Sequence, residues 1–239
     1  MASREDAALS QVAREARLML SREPSRHYEL GVMGGTFDPI HLGHTRAAAV
    51  AQRELALDRV LFVPASTPSF KRDRRIAGAC DRLAMVRIAT ADEPLWSVCA
   101  EEIARGGVSY TSETLEGLST CLPVNVRLSF ILGTDSLATL PTWHDAGRIA
   151  QLARIVCVSR RGEDDDAALR GVETSGMGFE VSMLSGDVPD VSSTQVRELI
   201  REGSDVSRLV DPRVLAYVRL HGLYRDGDGN TGCAVQVRR

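Results

Sequence analysis

Residues 34–44 read Gly-Gly-Thr-Phe-Asp-Pro-Ile-His-Leu-Gly-His and directly follow the apolar run Tyr28–Met33. That run has the length and composition of a buried strand, and the alanine-rich stretch Gly43–Leu55 predicts a helix. A strand, a glycine-containing loop and a helix form the first unit of an α/β fold. The loop contains neither G-x-G-x-x-G nor G-K-[ST], which excludes the dinucleotide fingerprint and the P-loop.

The alternation of strand and helix patterns continues along most of the chain. The further predicted strands are Arg59–Val63, Leu95–Ala100, Arg127–Leu132, Arg154–Ser159 and Phe179–Leu184. The further predicted helices are Asp81–Ala91, Thr111–Cys121, Ala146–Leu152, Val196–Glu202 and Pro212–Leu220. Residues 162–178 are rich in glycine and acid and predict a solvated loop. This order predicts a Rossmann-like doubly wound parallel sheet with helices on both faces, which binds ligands at the carboxyl ends of its strands.

The amino-acid composition limits the classes of protein to which this chain can belong. The chain has 239 residues, 44% of them hydrophobic and 26% charged, as in soluble globular domains. No apolar run reaches the roughly 18 residues of a membrane helix, and Glu5, Asp6 and Glu15 speak against a signal peptide. We therefore expect no membrane partner and a cytoplasmic location. A formal net charge of −3 predicts no nucleic-acid partner.

The chain divides into three predicted parts. Residues 1–27 form a helical N-terminal extension, residues 28–225 the α/β domain, and residues 226–239 a flexible tail. The five cysteines are scattered without a C-x-x-C pair, which predicts free thiols. The loop histidines are not part of an H-E-x-x-H motif and have no cysteine nearby in sequence, so we predict no metal site.

The loop after the first strand has the groups that a reacting phosphate needs. Gly34 and Gly35 let the backbone approach a phosphate closely. His41 and His44 are three residues apart at the start of a helix and so lie on one face. A helix N-terminus adds unpaired N–H groups and a positive dipole end. The alternative is that both histidines serve only in capping and packing.

Three other segments carry candidate ligand contacts. Ser192 and Gln195 form a capping box, and the hydroxyls that follow Ser192, with Arg197 one turn on, suit an anion. Plain capping is the alternative. Asp135 follows a predicted strand, where a carboxylate can bind ribose hydroxyls. Trp143 is either a core residue or a stacking platform. Lys71 is the single lysine of the chain, as expected where a compact ammonium is required.

Residues 34–44 resemble the G-x-F-D-x-x-H-x-G-H signature of the nucleotidyltransferase superfamily, and residues 191–197 resemble its I-S-S-T-x-x-R motif. The resemblance implies direct in-line transfer of a nucleotidyl group, with no covalent intermediate. It implies these catalytic residues: His41, His44, Lys71 and Arg197. It implies these ATP-binding residues: Gly34, Gly35, Thr36, Phe37, Asp135, Ser192, Ser193 and Thr194. Residues 64–71 resemble the P-x-x-x-P-x-H-K loop, with Phe70 where a histidine is common.

Segments in the middle of the chain resemble one branch, the bacterial nicotinate-mononucleotide adenylyltransferases. Residues 109–115 resemble S-Y-T-x-x-T-L, residues 133–143 resemble G-x-D-x-L-x-x-L-x-x-W, and residues 158–162 resemble V-x-R-x-G. The branch implies these acceptor contacts: Asp38, Thr111, Trp143, His144 and Arg160. It implies ATP and nicotinate mononucleotide as partners, with Mg²⁺ carried by ATP, and leaves a homo-oligomer open. The alternatives are transfer to nicotinamide mononucleotide or phosphopantetheine, or a regulator that has lost catalysis.

Overall fold

The computed structural model describes residues 13–14, 25–68, 76–159 and 164–225. The strands are β1 (Tyr28–Gly35), β2 (Arg59–Pro64), β3 (Thr67–Pro68), β4 (Trp96–Val98), β5 (Val108–Ser109), β6 (Val126–Gly133), β7 (Ala153–Ser159) and β8 (Val181–Ser185). Six of them form one sheet in the order β4-β2-β1-β6-β7-β8, in which every pairing is parallel. β3 and β5 form a separate parallel pair.

The helices alternate with the strands along the chain. They are α1 (Leu42–Glu54), α2 (Ala79–Thr90), α3 (Glu101–Arg105), α4 (Thr111–Cys121), α5 (Thr134–Thr139), α6 (Ala146–Leu152), α7 (Asp165–Thr174), α8 (Ser193–Arg201) and α9 (Pro212–Leu220), with a 3₁₀ turn at Leu140–Thr142. None of the helices in the described part of the chain has the length and apolar composition to cross a membrane.

Each face of the sheet has its own apolar core. Successive residues of a strand point to opposite faces, so Phe130 joins one core and Ile131 the other. The first core is covered by α4, α5, α6 and α7, through residues such as Leu115, Leu137 and Ile149. The second is covered by α1, α2, α8 and α9. The predicted doubly wound α/β fold is therefore confirmed.

The strand order places a switch point beside β1. From β1 the chain moves outward through β2 to β4, and then returns to β6 on the other side of β1. Loops that leave adjacent strands in opposite directions open a crevice at the carboxyl edge of the sheet. The segments that begin at Gly34 and Gly133 lie at this edge.

The prediction of a solvated loop at residues 162–178 is wrong for Asp165–Thr174, which form α7. Asp164 caps the helix, because its carboxylate accepts a hydrogen bond from the backbone N–H of Ala167. The acidic run then lies in the first turn, where negative charge is favourable. Ala168 and Val172, four residues apart, are buried and provide the apolar face that the acidic composition concealed.

Two smaller predictions have mixed outcomes. Cys99, Cys121 and Cys157 are free thiols, whereas Cys80 is disulfide-bonded, so the prediction of free thiols is wrong for Cys80. The predicted N-terminal helix and the C-terminal tail lie almost wholly outside the described residues. Close to the domain, Arg26 is described, and its guanidinium forms an ion pair of 2.6 Å with Asp58.

Candidate active site

The two loop histidines lie against each other at the start of α1. Their ring centroids are 3.7 Å apart, and the Nδ1 atom of His44 accepts a hydrogen bond of 3.2 Å from the backbone N–H of His41. Because Nδ1 is an acceptor, the hydrogen of the neutral His44 ring is on Nε2. A Cβ on Gly43 would approach the His41 ring to 3.0 Å, so glycine leaves room for this pairing. His41 is buried and His44 is half-buried.

Phe37 lies beneath His44 and has almost no exposed surface. Its ring makes an edge contact with the His44 ring at 5.0 Å and packs near Phe62 at 6.0 Å. A Cβ on Gly35 would come within 3.1 Å of the same ring. Burial among core residues leaves the Phe37 ring to support His44, and the contact of Phe37 with ATP stays a prediction.

Asp38 is the centre of a buried polar cluster. Its Oδ1 atom accepts hydrogen bonds from the Tyr224 hydroxyl at 2.8 Å and from the backbone N–H of Ala77 at 3.0 Å. The Arg197 guanidinium lies 3.5 Å from Oδ2 and donates to the Asp38 carbonyl at 2.7 Å. The Asp38 side chain has no exposed surface and is bound within the protein, and its contact with the acceptor stays a prediction.

The N-terminus of α8 abuts the loop after β1. The Ser193 hydroxyl donates to the Pro39 carbonyl at 3.0 Å, and Arg197 donates to the Thr194 hydroxyl at 3.2 Å. Ser192 is the cap, since its hydroxyl accepts from the Gln195 N–H. The predicted capping box is thus half present, through Ser192. Two helix N-termini and the Arg197 guanidinium converge here, which suits polyphosphate.

The predicted acceptor residues come together across two other loops. The His144 ring lies 4.2 Å from the Tyr110 ring, which brings the loop after α5 against the start of α4. Thr111 is the first residue of α4, where a backbone N–H has no partner within the helix. Trp143 is half-buried, packs edge-on to Phe130 at 6.1 Å and donates to Thr139 from its indole nitrogen.

The remaining predicted residues fall into two groups. Gly34, Thr36 and Asp135 lie at the carboxyl edge of β1 and β6, and Gly34 and Asp135 are exposed there. Their contacts with ATP stay predictions. Lys71 and Arg160 lie outside the described residues, as does Phe70.

Three residues around the site were not predicted, of which Arg82 and Glu102 are buried and Tyr224 is half-buried. Arg82 is 1% exposed and lies on the apolar face of α2 with Met85 and Val86, which is the signal that could have identified it. Burial lowers the pKa of Arg82, and the nearby Asp38 carboxylate opposes that shift. For the acidic groups the direction is the opposite, and burial raises the pKa of Tyr224. Burial also raises the pKa of Glu102, although hydrogen bonds from Thr114 and Ser109 act to lower it.

The site combines helix N-termini and a guanidinium, which are groups that bind anions. No three His, Cys, Asp or Glu side chains cluster to hold a metal among the residues that the structure describes. The carboxylate of Asp135, at the carboxyl edge of the sheet, accepts a hydrogen bond of 2.8 Å from the N–H of Ser136.

Comparison with known proteins agrees with this geometry. The model of the cytidylyltransferase-like family matches residues 32–199. A probable nicotinate-nucleotide adenylyltransferase of Dehalococcoides mccartyi (strain 195) is 42% identical over 195 residues, covering 81% of this chain and 96% of the relative. One from Roseiflexus sp. (strain RS-1) is 41% identical over 196 residues, covering 82% and 98%.

Solved structures show the same fold at lower identity. The nicotinic acid mononucleotide adenylyltransferase of Plasmodium falciparum, complexed with NaAD, gives a TM-score of 0.66 at 16% identity, covering 83% of this chain and 98% of the other. A putative nicotinate-nucleotide adenylyltransferase from Vibrio parahaemolyticus gives 0.59 at 20% identity, covering 83% and 96%. The chain therefore belongs to the cytidylyltransferase-like family, in its group of nicotinate-nucleotide adenylyltransferases.

Proposed function

We propose that this enzyme transfers AMP from ATP to nicotinate mononucleotide and releases deamido-NAD and pyrophosphate. The observation that carries the proposal is the meeting of the α1 and α8 N-termini around His44, Thr194 and Arg197, at the switch point of the sheet. Homologues about 40% identical over nearly their whole length carry the name of this activity.

The reaction is a direct displacement at phosphorus. An oxygen of the mononucleotide 5′-phosphate attacks the α-phosphorus of ATP, and the bond to the β-phosphate oxygen breaks as pyrophosphate leaves with its electron pair. The enzyme supplies position and charge rather than a nucleophile. His44 donates from Nε2 to a non-bridging α-phosphate oxygen as charge builds there, with His41 holding the His44 ring.

The leaving group lies on the α8 side in this proposal. Thr194, Ser193 and Arg197 stabilise the β- and γ-phosphates, and Lys71 adds a point charge. Mg²⁺ enters as part of the substrate, bound to the phosphates of ATP, and neutralises charge on the leaving pyrophosphate. Gly34, Gly35 and Thr36 contribute close backbone contacts, and Asp135 binds ribose hydroxyls.

The acceptor lies on the α4 side. The indole of Trp143 stacks on the cationic pyridine ring, and Thr111, His144 and Arg160 complete its contacts. The N-terminus of α4 offers unpaired N–H groups to a carboxylate, which favours the nicotinate over the neutral nicotinamide form. A cytoplasmic location stays a prediction.

One assay tests the proposal against its alternatives. Pyrophosphate release is measured with Mg²⁺–ATP and, in turn, nicotinate mononucleotide, nicotinamide mononucleotide and phosphopantetheine as acceptors. We expect the highest kcat/KM with nicotinate mononucleotide. A preference for phosphopantetheine would refute the acceptor and leave the reaction type intact, and binding of ATP without turnover of any acceptor would support the regulator.

A further inference from the structure

Arg82 is a buried charge, 1% exposed, that has no role in the mechanism given above. The Arg82 guanidinium donates four hydrogen bonds, and each of them ends on a main-chain carbonyl. Nε donates to Ala77 at 3.0 Å, and Nη2 donates to Ser66 at 2.7 Å. Nη1 donates to both Thr36 at 2.8 Å and Ala65 at 2.6 Å. One planar group thus joins three separate segments of the chain.

Two of these segments lead to residues that are proposed to contact ATP. Thr36 is in the loop after β1 that carries His41 and His44. Ala65 and Ser66 follow β2 and lead through β3 to the segment that ends in Lys71. Ala77 precedes α2, and its N–H also holds the Asp38 carboxylate. The guanidinium therefore binds the donor loop and the loop beside it to the same rigid helix.

The loop after β2 is connected onward to the acceptor side. The backbone N–H of Ser66 donates to the Ser109 hydroxyl at 3.0 Å, and the N–H of Thr67 donates to the Gly107 carbonyl at 3.1 Å. Pairing of β3 with β5 follows from these contacts. Thr111, the proposed acceptor contact, begins α4 two residues after β5 ends. A continuous chain of hydrogen bonds thus runs from Thr36 through Arg82 to β5, which ends two residues before α4 begins.

Placing an arginine at a core position is energetically unfavourable. Desolvation of the guanidinium opposes burial, as the lowered pKa of Arg82 indicates, and an apolar side chain of similar size would avoid that cost. What an apolar side chain would not provide is four donors in a fixed planar fork. The distinctive contribution of Arg82 is therefore geometric.

We propose that Arg82 is a positioning residue that sets the distance and angle between the ATP half-site and the acceptor half-site. This inference rests on the proposed function. Each substrate binds its own half-site, so a small displacement of one loop leaves the separate affinities nearly unchanged. The same displacement misaligns the attacking oxygen and the α-phosphorus, and a shift of about 1 Å can reduce the rate by about 10²-fold.

Arg82→Lys is the main test, because it keeps the charge and loses the fork. Arg82→Met removes all four donors, and Arg87→Met, at an exposed position of the same helix, is the matched control. For each variant we would measure the separate dissociation constants of a non-hydrolysable Mg²⁺–ATP analogue, of nicotinate mononucleotide and of the product dinucleotide. kcat is normalised to the folded fraction found by thermal unfolding.

The dinucleotide is the decisive ligand, because it spans both half-sites. In Arg82→Lys we expect the dissociation constants of the ATP analogue and of nicotinate mononucleotide to change by less than about threefold. The dissociation constant of the dinucleotide should rise by about 30-fold or more, and kcat should fall by about 10²-fold. Arg87→Met should match the wild type. A proportional loss of all three affinities would show a merely structural role and overturn the proposal, and so would wild-type dinucleotide affinity and kcat.

Two features keep the test conclusive. If neither Arg82 variant folds, Ser109→Ala removes the Ser66–Ser109 hydrogen bond, one of the two links to β5, without emptying the buried site. The same selective loss for the dinucleotide is expected there, and its absence counts against the proposal. If the wild-type enzyme does not form the dinucleotide, the proposed function fails, which is a separate result from normal turnover in the variants.

Discussion

The hydroxyl of Tyr224 donates a 2.8 Å hydrogen bond to the carboxylate of Asp38, across 186 residues of sequence. The contact joins the segment after the last described helix to the loop that carries the paired histidines. Asp38 in turn holds Arg197 of α8 through an ion pair. The end of the domain is thus bound to the centre of the active site.

Tyr224→Phe should lower the free energy of unfolding by about 1.5–3 kcal/mol, because a hydrogen bond to a buried charged group is lost. Urea denaturation measures the effect. Tyr217→Phe is the matched control, since its hydroxyl also donates to a carboxylate, that of Asp81 at 2.9 Å, but in a more exposed position. Equal losses in the two variants would contradict a special role for the Asp38 cluster.

His44→Ala should reduce kcat by about 10²–10³-fold, the usual contribution of a preorganised donor to a developing charge. The dissociation constant for ATP should change much less, because the other phosphate contacts remain. Steady-state kinetics and direct titration of ATP separate the two effects. His221→Ala, at the end of α9, is the control and should keep the wild-type rate. Near wild-type kcat in His44→Ala would refute the assignment.

The hydroxyls of the α8 N-terminus should separate into two roles. Ser192→Ala should cost about 1 kcal/mol of stability through loss of the helix cap. Thr194→Ala should raise the KM for ATP with little change in stability, because its exposed hydroxyl lies beside Arg197 and caps nothing. Both quantities are measured on both variants. If Thr194→Ala leaves the KM for ATP unchanged, the motif serves only the helix.

Trp143→Ala should raise the KM for nicotinate mononucleotide by about tenfold and leave that for ATP nearly unchanged. Loss of stacking on a cationic ring is worth about 0.5–2 kcal/mol, and about 1.4 kcal/mol corresponds to a factor of ten. Trp143→Phe is the control that keeps an aromatic face and should lose less. If both KM values rise together with a loss of stability, the packing of Trp143 on Phe130 is its main role.

Glu102 should make stability depend on pH. Burial raises the pKa of Glu102 in the folded state above 4.5, the ordinary value of a glutamate. The contribution of Glu102 to the free energy of unfolding is therefore fully present below pH 4.5 and is lost as the pH rises through the folded-state pKa. Glu102→Gln should therefore gain stability relative to the wild type as the pH increases from 4.5. Urea denaturation over that range measures the difference. A pH-independent difference for Glu102→Gln would refute this prediction.

Local signals account for what the sequence predicted well. The helices Thr111–Cys121, Ala146–Leu152 and Pro212–Leu220 have the predicted bounds, because apolar spacing, and in the last helix a proline at its first position, are properties of consecutive residues. The Gly-Gly loop and its histidines could likewise be identified from a contiguous motif. Whether these residues contact the substrates stays a prediction.

The parts that were missed depend on contacts between distant segments. The hydrogen bond of Arg82 to Thr36 joins residues 46 apart, and that of Tyr224 to Asp38 joins residues 186 apart. The partners of Arg82 are main-chain carbonyls, which every residue has, so the residue types in the sequence do not reveal them. The burial of Asp38 and Phe37 was missed for the related reason that a motif indicates that residues act together without indicating which of them face the ligand.

The anchoring of Arg82 on carbonyl oxygens has a consequence for how the enzyme can diversify. Every amino acid supplies a carbonyl, so residues 36, 65, 66 and 77 can be exchanged without removing an acceptor from the guanidinium. Mutation and selection can therefore alter the side chains of these loops, and with them the preferred acceptor, while the alignment of the reacting atoms is inherited unchanged.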